Sequence, residues 1–198
     1  MISAVDAIER LREGNRRFAS GESAIDKSVW HRKRAELVDG QTPFAIVLAC
    51  SDSRVPVELV FDQGLGDLFV IRVAGNVVAP SQVGSVEYAA AQLGTKLVVV
   101  LGHSNCGAVD ATLRELQTKK AHRSPNLRAI VDRIRPAIEP LLEGNEQTSL
   151  HDAVIANVGR SVERLRHGSI IVEELVASGD LTIVGAEYSM ASGVVTFL

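Results

Sequence analysis

The chain has 198 residues, of which 46% are hydrophobic and 23% charged, and it carries a formal net charge of -3. These values are close to ordinary globular usage and exclude a disordered or fibrous protein, and no concentration of Lys and Arg indicates a nucleic-acid partner. There is no apolar run of membrane-spanning length and no basic, then apolar, leader at the N-terminus, so we expect a cytoplasmic protein without a membrane partner.

The first part of the chain predicts two helices. Residues Ala4 to Phe18 place Val5, Ile8 and Leu11 at helical spacing, and Ser28 to Val38 reads as a second, more polar helix. Neither helix belongs to the pattern that follows. The length suits one domain, 1–198, which we divide into an N-terminal helical arm, 1–40, and a core, 41–198.

From Phe44 onward the sequence changes to short apolar runs of strand length. Each run is nearly continuous in Val, Ile, Leu and Phe, which is typical of strands that are buried on both faces of a parallel sheet. The runs are Phe44 to Ala49, Leu68 to Val73, Leu97 to Leu101 and Leu181 to Val184, and Val194 to Leu198 predicts a short edge strand.

Helical periodicity fills the segments between and after these runs. The predicted helices are Val83 to Leu93, Val109 to Thr118, Asn126 to Leu142, Leu150 to Arg166 and Ile170 to Ala177. Alternation of strands and helices predicts an α/β fold. We therefore expect a mostly parallel central sheet of about four strands plus the edge strand, with helices on both faces.

Two short segments hold both cysteines of the chain together with a histidine and an acid. Cys50 and Asp52 follow the first predicted strand, and His103 and Cys106 follow the third. Thiolate, imidazole and carboxylate are ligands of Zn²⁺, so these four residues are candidate metal ligands. A structural disulfide between the cysteines is the simpler alternative, although two cysteines are too few for a disulfide scaffold.

The position of these segments supports the metal interpretation. Open α/β sheets bind ligands beyond the carboxyl ends of their strands, at the point where adjacent strands send their connections to opposite faces. If the first and third strands are neighbours, the two segments converge there. Cys106 would also open the following helix, whose N-terminus favours a thiolate.

Arg54 lies two residues beyond Asp52, close enough for a two-pronged ion pair with the carboxylate. On an open surface such a pair contributes little. Beside a metal, the carboxylate can either accept a hydrogen bond from a coordinated water or become the fourth ligand.

The run from Ala49 to Pro56 and the run from Gly102 to Gly107 together resemble the double signature of the β-class carbonic anhydrases. The similarity extends through Phe69 to Asn76 and Ser85 to Ala89, and so covers the middle of the chain from about Gln41 to Val109.

The resemblance implies one Zn²⁺ per subunit held by Cys50, His103 and Cys106, with Asp52 and Arg54 as the catalytic dyad. In that family, zinc-bound hydroxide attacks carbon dioxide and water displaces the bicarbonate that forms. Asp52 as a movable fourth ligand would close the zinc shell, whereas its pairing with Arg54 would leave a position for water.

The resemblance also implies a substrate pocket and an assembly. Gln41, Phe69 and Tyr88 match the pocket residues of the plant-like branch of the family, and Gly107 matches a glycine whose backbone amide faces the substrate. The family's active site lies at a dimer interface that the N-terminal helices embrace, so we expect a homodimer and, by further pairing, a homotetramer.

Two alternative functions stay open at this point. Relatives with the same metal signature hydrolyse carbon disulfide or carbonyl sulfide, which are linear molecules like carbon dioxide. The same ligands could instead form a closed zinc site in a non-catalytic or bicarbonate-binding module, although the presence of Asp52 and Arg54 disfavours it.

Overall fold

The computed structural model describes residues 2–23, 29–119, 124–143 and 148–198. Its centre is a five-stranded sheet with the strand order β2-β1-β3-β4-β5. The strands are β1 (Ala45–Ala49), β2 (Leu68–Arg72), β3 (Leu97–His103), β4 (Thr182–Tyr188) and β5 (Val195–Phe197). The predicted α/β class, the mostly parallel sheet and the short edge strand are confirmed.

The sheet is parallel except at one edge. β1 pairs in parallel with β2 and with β3, β3 pairs in parallel with β4, and β5 runs antiparallel to β4. Every residue of β1 and β3 is buried, as their continuous apolar sequences predict. Because β1 and β3 are neighbours, the loops after them emerge side by side at the carboxyl edge of the sheet.

Eight α-helices are present among the described residues. They are α1 (Ala4–Ser20), α2 (Val29–Glu36), α3 (Val57–Val60), α4 (Pro80–Glu87), α5 (Gly107–Thr118), α6 (Pro125–Leu142), α7 (Leu150–Arg166) and α8 (Ile170–Ala177). Ser28, the predicted start of the second helix, lies outside the described residues. The predicted helix Val83 to Leu93 is instead α4 followed by a π-helical turn at Tyr88–Gln92, and it begins earlier because Pro80 suits the first turn of a helix.

The helices cover both faces of the sheet. Alternate residues of β1 point to opposite sides, so Val47 belongs to the core cluster that contains α1 and α3, whereas Ile46 belongs to the cluster that contains α4, α7 and α8. A third cluster joins Cys50 and Cys106 to α5, α6 and α7. The two cysteines therefore lie at the margin of a packed apolar region.

Helix α1 packs on its own sheet. Leu11 is fully buried in the cluster beneath β1, and the Asn15 amide donates to the carbonyl oxygens of Val60 and Gly193 at 3.0 and 2.8 Å. Its side-chain oxygen accepts the Val195 N–H at 2.7 Å, which ties the helix to β5. The structure thus anchors α1 to the core of its own chain, and its role as an arm around a second copy stays a prediction.

Helix α7 approaches the sheet closely because two strand residues lack side chains. A Cβ atom on Gly102 would lie 2.4 Å from Val158 Cγ2, and one on Gly185 would lie 2.8 Å from Val158 Cγ1. These glycines let the Val158 side chain rest directly on the backbone of β3 and β4. None of the helices in the described ranges combines the length and the apolar character needed to cross a bilayer.

Candidate metal centre

Cys50 is the first residue beyond β1 and is buried, with 5% of its surface exposed. Its sulfur accepts a hydrogen bond from the backbone N–H of Gly75 at 3.3 Å. Gly75 lies in a 3₁₀ turn, Ala74–Asn76, directly after β2, and adopts a left-handed conformation with φ of 68°. The sheet order therefore brings this turn against the sulfur from the neighbouring strand.

His103 is the last residue of β3 and is fully buried. Its Nδ1 lies 3.0 Å from the carbonyl oxygen of Ser104, and a carbonyl only accepts, so Nδ1 carries a proton. Nε2 is buried without a hydrogen-bond partner. An imidazole that is fixed through Nδ1 and presents a free Nε2 is arranged as metal-ligating histidines are.

Cys106 occupies the N-cap position of α5, with 1% of its surface exposed. The residue before it, Asn105, has φ of 56°, so the chain reverses within the turn that separates His103 from Cys106. Both cysteines are free thiols, which removes the disulfide alternative.

The two thiols act as a pair with strongly different proton affinities. The hydrogen bond from Cys106 lowers the pKa of Cys50 to about 4 despite burial, with further help from His103 and the Gly75 N–H. The same hydrogen bond, together with burial, raises the pKa of Cys106 far above its usual range. The pair thus holds one negative charge at neutral pH in the absence of metal.

The charge on this pair also affects the histidine. Burial alone would lower the pKa of His103, but the nearby Cys50 sulfur and the Ser104 carbonyl outweigh it, and the pKa is raised. A field that favours an imidazolium at this position also favours a metal cation.

The potential ligand atoms of Cys50, His103 and Cys106 all lie within 4.8 Å of one another. Two sulfurs and one imidazole nitrogen form a donor set that suits Zn²⁺. Among the described residues, the structure brings together one group of three or more potential metal ligands, and it is this one. The residues present fit a zinc ion.

Asp52 faces Arg54 rather than joining this group. Its Oδ1 accepts hydrogen bonds from the backbone N–H and from Nε of Arg54, both at 2.9 Å. Its Oδ2 accepts a hydrogen bond from Nη2 at 2.7 Å. The side-chain hydrogen bonds from Arg54 are the main reason that the pKa of Asp52 lies well below its usual range. Ligation of a metal by Asp52 stays a prediction.

Two arginines fasten the loop that contains Cys50 and Asp52. Nη2 of Arg54 donates to the carbonyl oxygen of Asn105 at 3.4 Å, which links this loop to the turn before α5. Arg72, at the end of β2, donates to the carbonyl oxygens of Cys50 and Asp52 at 3.1 and 2.7 Å.

The role of Arg72 was not predicted from the sequence, because it depends on which strand pairs with β1. The register places Arg72 beside Ala49, one residue before Cys50. A charged residue near the end of an otherwise apolar strand run was the signal that could have identified it.

The predicted pocket residues occupy different parts of the chain. Gly107 begins α5 immediately after Cys106, whereas Gln41 precedes β1, at the opposite end of that strand from Cys50. A five-residue strand spans roughly 16 Å, so Gln41 does not reach the Cys50 end of its own sheet.

Phe69 and Tyr88 do form a pair, with ring centroids 6.2 Å apart. Phe69 lies opposite Ile46 on the edge strand β2, and 51% of the Tyr88 surface is exposed. Within one chain, this aromatic pair lies at the β2 edge of the sheet.

Comparison with known proteins gives one consistent result. The family model described as "Carbonic anhydrase" matches residues 45–195. The chain is 42% identical to a carbonic anhydrase of Mycolicibacterium smegmatis and 40% identical to carbonic anhydrase 2 of Mycobacterium tuberculosis. Each alignment covers 96% of this chain and 90% of the relative.

Solved structures show the same fold. The β-carbonic anhydrase CcaA superimposes with a TM-score of 0.77 at 26% identity, over 98% of this chain and 92% of that one. The Coccomyxa β-carbonic anhydrase, solved in complex with acetazolamide, gives a TM-score of 0.73 at 28% identity, over 94% of this chain and 83% of that one.

Proposed function

The chain belongs to the β-class carbonic anhydrases, and from this premise we propose that Cys50, His103 and Cys106 hold one zinc ion at which carbon dioxide is hydrated reversibly to bicarbonate and a proton. The observation that carries the proposal is the convergence of three buried N and S ligand atoms within 4.8 Å, with Nε2 of the histidine unpartnered. The enzyme is a carbonate dehydratase.

Zinc, when bound, lowers the pKa of a coordinated water to about 7 and so supplies a hydroxide nucleophile at neutral pH. The chain's part is to bind the ion, to orient the reactants and to keep the surrounding charges fixed. Two thiolate ligands bring more negative charge to the zinc than two imidazoles would, so they reduce its effect on the pKa of the water. The placement of hydrogen-bonding groups around the site is therefore important.

We assign Asp52 an orienting role. Its lowered pKa keeps it ionised at working pH, and an ionised carboxylate accepts hydrogen bonds but is too weak a base for efficient proton abstraction near pH 7. The three hydrogen bonds from Arg54 fix where its oxygens lie. Asp52 can therefore direct a lone pair of the nucleophile, and Arg54 keeps it in place.

Backbone groups complete the proposed site. Arg72 holds the carbonyls of Cys50 and Asp52, which keeps the first ligand loop in register with β2. Gly107 lies in the first turn of α5, where N–H groups have no intrahelical partner, so its amide is available to a substrate oxygen.

We further propose a homodimer in which a second copy brings its Gln41, Phe69 and Tyr88 to this site. The support is that Gln41 lies at the far end of β1 in its own chain and that Tyr88 is half exposed beside the unpaired edge of β2. Pairing of dimers into tetramers and a cytoplasmic location are the remaining parts of the proposal.

Two other functions receive less support. The relatives at 40–42% identity are named carbonic anhydrases, which favours carbon dioxide over carbon disulfide or carbonyl sulfide as substrate. A closed structural zinc site takes four protein ligands, whereas the group found among the described residues contains three.

The experiment that tests the function is Cys106→Ser, followed by zinc determination and stopped-flow measurement of carbon dioxide hydration. We expect loss of both stoichiometric zinc and activity, because the variant removes one of three ligands. Thr118→Ser, on the exposed end of α5, is the matched control and should keep both. Full hydration activity in Cys106→Ser would overturn the proposal.

A further inference from the structure

Helix α7 carries two buried polar side chains on a face that is otherwise apolar. Asn157 and Ser161 are 2% and 3% exposed, and the same buried face includes Val154, Val158 and Val162. The two polar residues are four positions apart and so lie one above the other on the helix. A buried amide or hydroxyl is unfavourable unless it is hydrogen-bonded, so their partners identify what they hold.

Both partners lie in the turn after β2. Nδ2 of Asn157 donates to the carbonyl oxygen of Gly75 at 2.9 Å, and Oγ of Ser161 donates to the carbonyl oxygen of Asn76 at 3.0 Å. One helix therefore fastens two successive peptide groups of the turn.

The turn requires such support. Gly75 and Asn76 both have positive φ, 68° and 43°, which is an uncommon conformation for a residue other than glycine. A Cβ on Gly75 would lie 2.8 Å from Ile134 Cδ1 and 3.1 Å from Ala108 Cβ, so the backbone there is also tightly enclosed. Glycine and asparagine are the residues that adopt this conformation most readily, and the two bonds from α7 fix the turn in it.

The fastened turn points one of its backbone N–H groups at a ligand atom. The N–H of Gly75 donates to Cys50 Sγ at 3.3 Å. We propose that Asn157 is a positioning residue that fixes the Gly75 N–H on the Cys50 sulfur and thereby tunes the bond between this sulfur and zinc, with Ser161 supporting the next peptide. The proposal rests on the zinc site proposed above. It adds a supporting role for helix α7, which contributes none of the three ligands.

The physical effect has two parts. A hydrogen bond to a thiolate withdraws charge from the sulfur, so the sulfur donates less to the metal and the metal stays a stronger Lewis acid. A fixed turn also keeps the ligand in place before the metal arrives. Loss of the Asn157 bond releases the Gly75 peptide. The ligand is then no longer held in place, which weakens zinc binding, and the sulfur loses its hydrogen-bond donor, which the charge-transfer band reports.

The test uses Asn157→Leu, which keeps the branching at Cγ and removes the amide, and Ser161→Ala as a milder variant. Thr95→Val is the matched control, since Thr95 is also buried and its hydroxyl donates to the Pro43 carbonyl at 2.9 Å, at the opposite end of the sheet. For each protein, the zinc dissociation constant is measured by competition with a chelator. The thiolate-to-cobalt charge-transfer band is recorded after Co²⁺ substitution.

We expect Asn157→Leu to weaken zinc binding by about tenfold to a hundredfold, the usual effect of losing a group that supports a ligand. Its charge-transfer band should move to lower energy, because the sulfur lone pairs lose a stabilising donor. Ser161→Ala should shift both quantities in the same direction but less. Thr95→Val should lower the melting temperature and leave both quantities unchanged.

Wild-type zinc affinity and an unshifted cobalt band in both α7 variants would overturn the inference, and if Asn157→Leu does not fold, Ser161→Ala decides alone. The wild-type protein separates the zinc site from the positioning role of Asn157. A wild type that binds no zinc defeats the proposed function, and the inference with it. A wild type that binds zinc and hydrates carbon dioxide, beside α7 variants that match it, defeats only the positioning role.

Discussion

Arg54 holds Asp52 by three hydrogen bonds, from its backbone N–H, Nε and Nη2, at 2.7 to 2.9 Å. The pair is partly open to solvent, with 17% of the Asp52 side chain and 56% of the Arg54 side chain exposed. A pair this exposed contributes little to the free energy of unfolding. Its geometry is therefore better explained by a need to orient the carboxylate.

Arg54→Lys should separate orientation from charge. Lysine keeps the positive charge but cannot offer two parallel donors, so Asp52 loses its fixed direction. We expect kcat for carbon dioxide hydration to fall by about tenfold to a hundredfold, as misplaced groups commonly cause, while zinc content stays at one per chain. Stopped-flow kinetics and metal analysis provide the two measurements.

The chain offers a matched control for this variant. Arg114 makes the same kind of pair with Asp110 on the surface of α5, at 3.0 and 2.8 Å. Arg114→Lys should leave kcat unchanged. Equal kcat in Arg54→Lys and wild type would show that the carboxylate needs no such orientation.

The zinc-free protein should contain one thiolate per chain at neutral pH. The pKa of Cys50 is lowered to about 4 and that of Cys106 is raised, so the thiolate is present at neutral pH and disappears as the pH falls through about 4. Ultraviolet absorbance of the thiolate follows this titration. Cys50→Ser should lack the signal at pH 7, and a persistent full signal in that variant would contradict the assignment.

The same shift predicts the pH dependence of stability. Unfolded cysteine has a pKa of about 8.5, so between about pH 4 and 6 unfolding takes up a proton at Cys50. The raised pKa of His103 changes stability only as the pH rises above the unfolded value of about 6.5, so it does not oppose the effect in this range. The free energy of unfolding of the zinc-free protein should therefore increase as the pH rises from 4 to 6. In Cys50→Ser this increase should be smaller.

Zinc should stabilise the folded chain strongly, because the ion binds the three ligands only where the fold assembles them. A free zinc concentration of about 1,000 times the dissociation constant adds about 4 kcal/mol. For a chain of this size this amounts to a rise of roughly 8 to 16 °C in melting temperature. Calorimetry with and without a chelator measures the rise, and Cys106→Ser should show almost none.

Two glycine variants test the packing of α7 on the sheet. Gly102→Ala places a methyl group 2.4 Å from Val158, and we expect a loss of about 1–3 kcal/mol from overpacking. Gly159→Ala lies on the exposed side of the same helix with nothing within 4 Å, and it should gain about 1 kcal/mol from helix propensity. Thermal unfolding of both variants checks the opposite signs. A Gly102→Ala variant as stable as wild type would mean that Val158 moves aside freely.

Complementation between subunits tests the proposed dimer. Cys106→Ser removes a zinc ligand, and Gln41→Ala alters a residue that lies far from the site in its own chain. A heterodimer of the two variants should regain one intact site, with about half of the wild-type activity per dimer, because each chain supplies what the other lacks. Purification with two different affinity tags isolates this species. Activity no higher than the average of the two variant homodimers would show that Gln41 does not act across an interface.

Much of the fold was predictable because buried parallel strands leave a plain signal. The run Leu97 to Leu101 identified β3, and Leu150–Arg166 was predicted with the bounds that α7 has. The predicted end of β4 at Val184 was too early. The strand continues to Tyr188, since pairing with β3 and β5 holds Gly185 and Glu187 in the sheet although neither is apolar.

The candidate ligands were predictable for a similar reason, whereas their supports were not. Cysteine and histidine at two strand ends are chemically distinctive, and their convergence needed only that β1 and β3 be neighbours. Arg72 and Asn157 act on backbone carbonyls, which every residue possesses. Their roles therefore depend on strand order and on helix placement, neither of which a local pattern contains.

The sheet order also constrains when the site can form during folding. Cys50 and His103 end adjacent parallel strands, and the chain between them contains β2 and α4, so a long loop must close before β3 can pair with β1. Such long-range parallel pairing is slow, because the entropy lost in closing the chain precedes the contacts that offset it. The three ligands consequently meet late, and the nascent chain presents zinc with isolated thiols until the central strands have joined.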